Sequence, residues 1–407
     1  MHERGHMTES DYRFAALPES PFPRLNALLE GTPPGGEPLM MSLGEPQHPF
    51  PDFVTKELMA HAKDFGRYPP IIGTAGFRDA VAGWLMRRFD LPLGAIDPDT
   101  QILPVNGTRE ALFSIALVAT PGEKNGKQPA VLMPNPFYQC YAAAALAAGA
   151  EPHYISARPE NAFLPDFEGL PGDLLARTSV VYFCSPANPQ GAVADMDYLK
   201  RLIELAREHD FLLVMDECYA DIYDRAPPPS ALQACLEMTP PRSGDPFENV
   251  VVFHSLSKRS SLPGLRSGFC AGDKAFMIRY RGFRNIGGPQ TPLPVLAASA
   301  AAWNDDEHAA KNRALYQRKI DIAERVLGNR FGFYRPAGGF FLWLDVGDGE
   351  KAAKQIWAEG GVKVLPGKYL ARDGKNGNPG AAYIRIALVH DEAATEEGLT
   401  RLAEALG

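Results

Sequence analysis

A chain of 407 residues, 45% of them hydrophobic and 22% charged, has room for two packed domains and enough apolar material to fill their cores, which excludes a disordered protein. A formal net charge of −8 gives no electrostatic reason to expect nucleic acid or an anionic membrane as partner. Cys140, Cys184, Cys218, Cys235 and Cys270 are an odd number without close pairs, and the nine histidines show no ligand spacing with them, so reduced thiols are expected and no metal site or disulfide framework.

The opening, Met1 to Met7, lacks the apolar segment of a signal peptide, and no run reaches the length of a membrane span. A cytoplasmic location is therefore expected, and Met7 reads as an alternative start or as the join of an expression scar. After a Pro- and Gly-rich stretch, Phe77, Ala80, Val81, Trp84 and Leu85 recur at helical spacing and predict an amphipathic helix. Apolar runs at 101–105, 130–133, 179–184, 211–215, 249–253 and 267–271 predict strands. Between them 196–209, with Leu199, Leu202, Ile203 and Leu205 on one face, predicts a helix. Strands buried on both faces and separated by helices predict an α/β fold with a mostly parallel sheet, whose ligands gather at the carboxyl ends of the strands. From about residue 297 the pattern turns to long helices and then to shorter strands near Gly338 to Leu344 and Tyr383 to Leu388. The predicted division is an N-terminal arm with the start of the small domain over 1–48, a large domain over 49–296 and a smaller α+β domain over 297–407. The Gly- and Asn-rich loop 372–380 is expected to be mobile.

The polar motifs fall at the predicted strand ends. Asn106-Gly107-Thr108-Arg109 opens a helix, so its amides and the helix dipole suit a phosphate; an ordinary turn capped by Thr108 has the same pattern. Tyr138, in Pro134-Asn-Pro-Phe-Tyr138, offers a flat face to a pyridine ring, or is simply a buried aromatic. Asn188, in the turn Ser185-Pro-Ala-Asn-Pro-Gln-Gly191, could present its amide to a ring oxygen. Asp216, in Asp216-Glu-Cys-Tyr219, suits a protonated pyridine nitrogen, with a helix cap or structural ion pair as the alternative, and Tyr219 could reach the phenolic oxygen. Ser255-Leu-Ser257-Lys258, followed eight residues later by Arg266, places an amine able to form an imine beside two hydroxyls and a guanidinium suited to phosphate. Together these point to pyridoxal phosphate (PLP). Arg385, in the middle of a predicted strand, needs an anionic partner, either a carboxylate ligand held in bidentate fashion or a carboxylate of the protein.

Taken in order, Gly44-Glu-Pro, Tyr68 with Gly73, and the motifs just described resemble the class I/II aminotransferases of the aspartate aminotransferase fold, over nearly the whole chain. The resemblance implies a PLP-dependent transferase of fold type I, with a large domain whose mostly parallel sheet is flanked by helices and a smaller α+β domain. It implies that Lys258 forms the imine with the cofactor, Asp216 pairs with the pyridine nitrogen, and Asn188 and Tyr219 bind the ring oxygen. Gly107, Thr108, Ser255, Ser257 and Arg266 then hold the phosphate, with Arg109 beside them, and Tyr138 stacks on the ring. Arg385 clamps the α-carboxylate of an amino-acid or 2-oxo-acid substrate, with Gly44 and Asn188 also on the substrate side. Tyr68 reaches the phosphate of a neighbouring subunit, which makes a homodimer the expected unit. Gln190 departs from the threonine usual in the family, in a turn that keeps Asn188.

Within the family, 21–29, 254–269 and 287–294 resemble N-succinyl-L,L-diaminopimelate aminotransferases of lysine and diaminopimelate synthesis, which implies glutamate and 2-oxoglutarate as the second substrate pair. On that resemblance Arg284 is a candidate for the distal succinyl carboxylate, with a surface helix residue as the alternative. Other readings are an aminotransferase for aspartate or another amino acid, a PLP lyase or decarboxylase on the same fold, and an amino-acid sensor, for which no DNA-binding extension is visible.

Overall fold

The computed structural model describes residue 17 and residues 19–407, so the expectations for Met1 to Met7, and the first part of the arm, lie outside the described residues. Seven strands form the central sheet: β1 (Ile102–Val105), β2 (Ala130–Asn135), β3 (Glu151–Ser156), β4 (Thr178–Cys184), β5 (Leu212–Asp216), β6 (Val250–Ser255) and β7 (Gly268–Gly272). Their order is β1-β7-β6-β5-β4-β2-β3, and only β7 runs against the rest. The inner strands are apolar throughout because both faces are covered. Along β4, Val181 and Phe183 enter one core with Leu213 and Val252, while Val180 and Tyr182 enter the other with Val214 and Val251. Edge strand β3 has no counterpart among the predicted runs. It is half-solvated and carries Glu151, Pro152 and His153, so it lacks the apolar run that betrays a buried strand.

The small domain is built on an antiparallel sheet of β8 (Phe341–Asp345), β9 (Leu365–Pro366) and β10 (Tyr383–Ala387), in the order β9-β10-β8. Met41 joins its core beside Ile320, Leu342 and Ile384, and Leu25 and Leu29 of the helix Pro21–Leu29 pack with Trp343, Leu365 and Tyr369. The large-domain core extends past the expected limit at 296. Leu296, Ala298, Ala302 and Trp303 of the helix Leu293–Asn304 belong to it, with Trp303 lying 4.7 Å from Trp84 between ring centres. That helix is Ala-rich and apolar, with no turn signal to mark which domain it serves. The following helix, Glu307–Leu327, carries the chain from one core to the other.

All five cysteines are free thiols. Among the described residues no helix is long and apolar enough to cross a membrane.

Candidate active site

Because β1, β2, β4, β5 and β6 are parallel, their carboxyl ends open on one side of the sheet, and the motif residues meet there. The turn after β1 holds Gly107 at φ 77°, where a Cβ would come within 2.0 Å of Arg266 Nη2, so only glycine fits. The helix Thr108–Ala119 starts at this turn and aims its first amides at the cleft. Across from it, β6 ends at Ser255, whose Oγ donates to Ser257 Oγ at 2.9 Å and accepts from Ser257 N at 3.1 Å. The guanidinium of Arg266 is held over Gly107 by Pro263 O (2.7 Å) and Asn106 O (3.2 Å). A helix start, two hydroxyls and a guanidinium thus surround one point, an arrangement that favours a phosphate dianion.

Beside this cradle, Lys258 projects from the one-turn helix Leu256–Arg259 and its Nζ donates to Gly44 O at 2.7 Å. Burial pulls its pKa down to about 8, against Cys218, which raises it, and with Arg385, which lowers it further. Gly44 is confined: a Cβ there would stand 2.5 Å from Phe341 Cζ. Asp216 ends β5, buried, with Tyr141 donating from its hydroxyl to Oδ2 at 2.7 Å and Cys218 N reaching Oδ1 at 3.4 Å. Burial pushes the Asp216 carboxyl up from its ordinary value and these donors pull it back. Tyr219 is buried against Phe340 and Phe341, which holds its phenol well above the ordinary value and keeps it a donor. Tyr138 caps the cleft, its phenol pushed up to about 12 by burial. The guanidinium of Arg109 turns to Tyr138, donating from Nε to its hydroxyl, and so stands at the edge of the cleft and not within the phosphate cradle.

Opposite the lysine, Arg385 comes from β10 and is only 5% exposed. Its Nη2 donates to Ser42 O (2.7 Å), its Nη1 to Asn188 Oδ1 (3.2 Å), and its plane lies 4.5 Å from the centre of the Phe341 ring. Nε has no partner. No protein carboxylate pairs with Arg385 among the described residues, and burial lowers its pKa to about 10. A structural carboxylate partner is thus not met among the described residues, and the guanidinium is left available to an anion.

The sequence model described as "Aminotransferase class I and II" matches residues 38–402. The chain belongs to this family. It is 31% identical over 379 residues to an LL-diaminopimelate aminotransferase of Dehalococcoides mccartyi, covering 91% of each protein. It is 32% identical over 369 residues to 4-dedimethylamino-4-oxo-anhydrotetracycline transaminase OxyQ of Streptomyces rimosus, covering 90% of this chain and 92% of OxyQ. Among solved structures, an aminotransferase from Neisseria meningitidis superposes with a TM-score of 0.91 at 38% identity, over 97% of this chain and 99% of that one. A probable N-succinyldiaminopimelate aminotransferase from Thermus thermophilus gives 0.81 at 25% identity, over 95% and 100%.

Aminotransferases of this family work with PLP, and the residues present fit it. The cradle around Gly107 suits the phosphate, buried Asp216 suits a cationic ring nitrogen, and Lys258 lies between them and the orphaned Arg385. Asn188, whose Oδ1 is held by Arg385, keeps its Nδ2 as a donor for an oxygen in the cleft.

Arg284 does not serve the aminotransferase as its sequence position implied. It is 1% exposed, its Nη1 and Nη2 are spent on Glu110 at 2.8 and 3.0 Å, and further donors go to the Tyr280 hydroxyl and Pro289 O. Its Nε has no partner, but the side chain is buried, is not among the residues that line the cleft and has both of its terminal nitrogens engaged, so it ties the helix Lys274–Gly287 to the helix Thr108–Ala119. Tyr68 lies 97% exposed, away from the residues that line the cleft of its own chain.

Tyr141 was missed from sequence, although it lies one helical turn beyond Tyr138. It stacks on Tyr182 at 4.5 Å and aims its hydroxyl at Asp216. A hydrogen bond to a charged group contributes about 1.5–3 kcal/mol, so Tyr141→Phe is expected to lower kcat/KM roughly ten- to a hundredfold and to weaken PLP retention. Steady-state kinetics and fluorescence titration of the cofactor check this, and an unchanged PLP affinity would deny Tyr141 its part in holding Asp216.

Proposed function

We propose that this aminotransferase moves an amino group from N-succinyl-L,L-diaminopimelate to 2-oxoglutarate in lysine and diaminopimelate synthesis. The observation that carries the reading is that, besides Arg266 in the phosphate cradle, two more guanidinium groups without acid partners stand on one cleft. Arg385 takes the α-carboxylate, and Arg109, bonded only to the neutral Tyr138 hydroxyl, takes a distal one. Leu17, Pro21, Phe22, Leu43 and Phe113 also line the cleft, an apolar wall suited to a long acyl chain. The Thermus thermophilus neighbour is named as a probable aminotransferase for this substrate. A second reading, L,L-diaminopimelate itself, is favoured by the names of the curated relatives at about 31% identity.

PLP, when bound, supplies the electron sink for the substrate's Cα carbanion. Asp216 keeps the ring nitrogen protonated, while Asn188 and Tyr219 hold the ring oxygen and Tyr138 covers the ring's face. Gly107, Thr108, Ser255, Ser257 and Arg266 anchor the phosphate. Lys258, whose amine lies in the cleft beside the Gly44 carbonyl, would be the base that takes and returns the substrate's Cα proton. Tyr68, exposed on its own subunit, reaches the phosphate in a second copy, so the working unit is a homodimer. Five free thiols fit a cytoplasmic location.

The test compares kcat/KM for N-succinyl-L,L-diaminopimelate, L,L-diaminopimelate, aspartate and alanine, each with 2-oxoglutarate, in wild type and in Arg109→Gln. The succinyl substrate is expected to lead, and to lose roughly ten- to a hundredfold in the variant while alanine changes less than about threefold. A lead for L,L-diaminopimelate selects the second reading. A lead for aspartate or alanine defeats both, and amine or carbon dioxide released without a 2-oxo acid would mark a lyase.

A further inference from the structure

A buried ammonium sits behind the cleft without a carboxylate to pair with. Lys319, in the helix Glu307–Leu327, is 1% exposed, and its Nζ meets three acceptors: His48 Nε2 at 2.7 Å, Leu388 O at 2.6 Å and His390 O at 2.7 Å. Three acceptors match the three N–H groups of a charged lysine. Burial pulls its pKa to about 7, with Asp391 and Glu392 raising it and Arg318 lowering it, and such a group is costly to keep for packing alone.

The contact fixes the histidine. An Nε2 that accepts from an ammonium leaves the ring proton on Nδ1, which donates to Asn312 Oδ1 at 2.7 Å. Asn312 then has only its amide nitrogen to turn inward, and Nδ2 donates to Lys258 O and Arg259 O, both at 3.0 Å. Each member thus has one role, and the hydrogen bonds run in one direction from Lys319 to the carbonyl of Lys258. Burial and the neighbouring Lys319 hold His48 down at about 4, so the ring stays a neutral link.

What the chain joins gives it purpose. His48 belongs to the segment 42–48, which passes over the cleft; Ser42 O accepts from Arg385, Gly44 O accepts from Lys258, and His48 O accepts from Ser261 Oγ. Leu388 and His390 lie on the stretch that continues β10, the strand of Arg385. The two groups between which a substrate's α-carbon must lie are therefore each tied to Lys319, one through its strand and the other through His48 and Asn312.

We propose that Lys319, His48 and Asn312 are positioning residues that set Lys258 against Arg385, acting through the segment 42–48 and the backbone carbonyl of Lys258. The inference rests on the reading of Lys258 and Arg385 given above. His48→Phe keeps a ring to lie on Tyr316, 4.4 Å away between centres, but breaks both links, whereas His48→Gln offers an oxygen and an N–H to the same two partners.

The first readout is the pH midpoint for acylation of Lys258 by an amine-reactive reagent, mapped by peptide mass, in the full-length chain freed of cofactor. Lys258 is faced there by Cys218, Arg385, Glu45 and Asp216, and its wild-type midpoint is expected near 8. In His48→Phe the loosened segment admits water and the midpoint is expected to climb by about one unit. The second readout is the loaded enzyme, where kcat is expected to fall roughly tenfold while KM for the amino donor changes less than about threefold. His48→Gln is expected to restore both. The proposal is overturned if His48→Phe leaves both readouts at wild-type values, or if the Gln variant is impaired as much as the Phe variant. It also falls if His48→Phe and Lys319→Met both lose the native near-ultraviolet circular dichroism, since the cluster would then be a folding element only. Failure of the underlying reading is visible separately: in unmutated protein, PLP fixed by borohydride would map to a lysine other than Lys258.

Discussion

Lys258→Ala is expected to abolish turnover, by about 10⁴-fold or more, while the chain still folds and still takes up PLP. On the proposed reading the loss is large because one side chain would have two tasks, holding the cofactor covalently and moving the substrate's proton, and no neighbour could take over either. The Lys258 amine donates to the Gly44 carbonyl, with the rings of Tyr219 and Phe340 beside it, and the carboxylates that face it, Glu45 and Asp216, make no hydrogen bond to it. Binding survives because the phosphate cradle and Asp216 are separate from the lysine. Sodium borohydride should fix a pyridoxyl label on Lys258 in wild type and none in the variant, with PLP affinity measured alongside by equilibrium dialysis. Residual turnover within about a hundredfold of wild type would remove Lys258 from the chemistry.

Arg385→Leu is expected to cost the second largest amount, and to cost it on every amino donor. Truncating one side of a buried charge pair costs about 2–5 kcal/mol, which is roughly thirtyfold to several thousandfold in kcat/KM. The substrate carboxylate would face the Phe341 ring and a Ser42 carbonyl with no cation to receive it. Arg385→Lys should recover little, because a point charge cannot reproduce the fork that holds Ser42 O and Asn188 Oδ1 while an N–H remains for the ligand. The same set of donors used with Arg109→Gln separates the two arginines. Losses confined to donors with a second carboxylate would place Arg385 at the distal end and defeat its assignment.

The inner strands were legible in the sequence because sheet burial on both faces leaves no polar residue to interrupt Val250 to Phe253 or Ser179 to Cys184. The motifs at their ends were legible for the complementary reason, since polar residues that close an apolar run must have something to bind. Edge strand β3 was hidden by its half-exposed composition. Arg284 was misread because its partner, Glu110, lies 174 positions away, and no local pattern in 280–290 announces an ion pair of that range. Lys319 and His48 were silent for a similar reason. A lysine in the helix Glu307–Leu327, which has many charged residues, looks solvated until three acceptors from two distant segments are seen around it.

The small domain has a consequence for how the protein is made. Its core takes Met41 and the helix Pro21–Leu29 from one end of the chain, and Ile320, Leu342 and Ile384 from the other. The large-domain core, by contrast, draws on residues between Val54 and Trp303. During synthesis the large domain can therefore close while the early segment still waits for strands that have not left the ribosome. Arg385 meets Ser42 only at that last step, so the site proposed for the substrate carboxylate is completed after the cofactor platform has folded. A nascent chain would gain its affinity for PLP before it could recognise an amino acid, and release from the ribosome, more than folding of the catalytic domain, would decide when it becomes an enzyme.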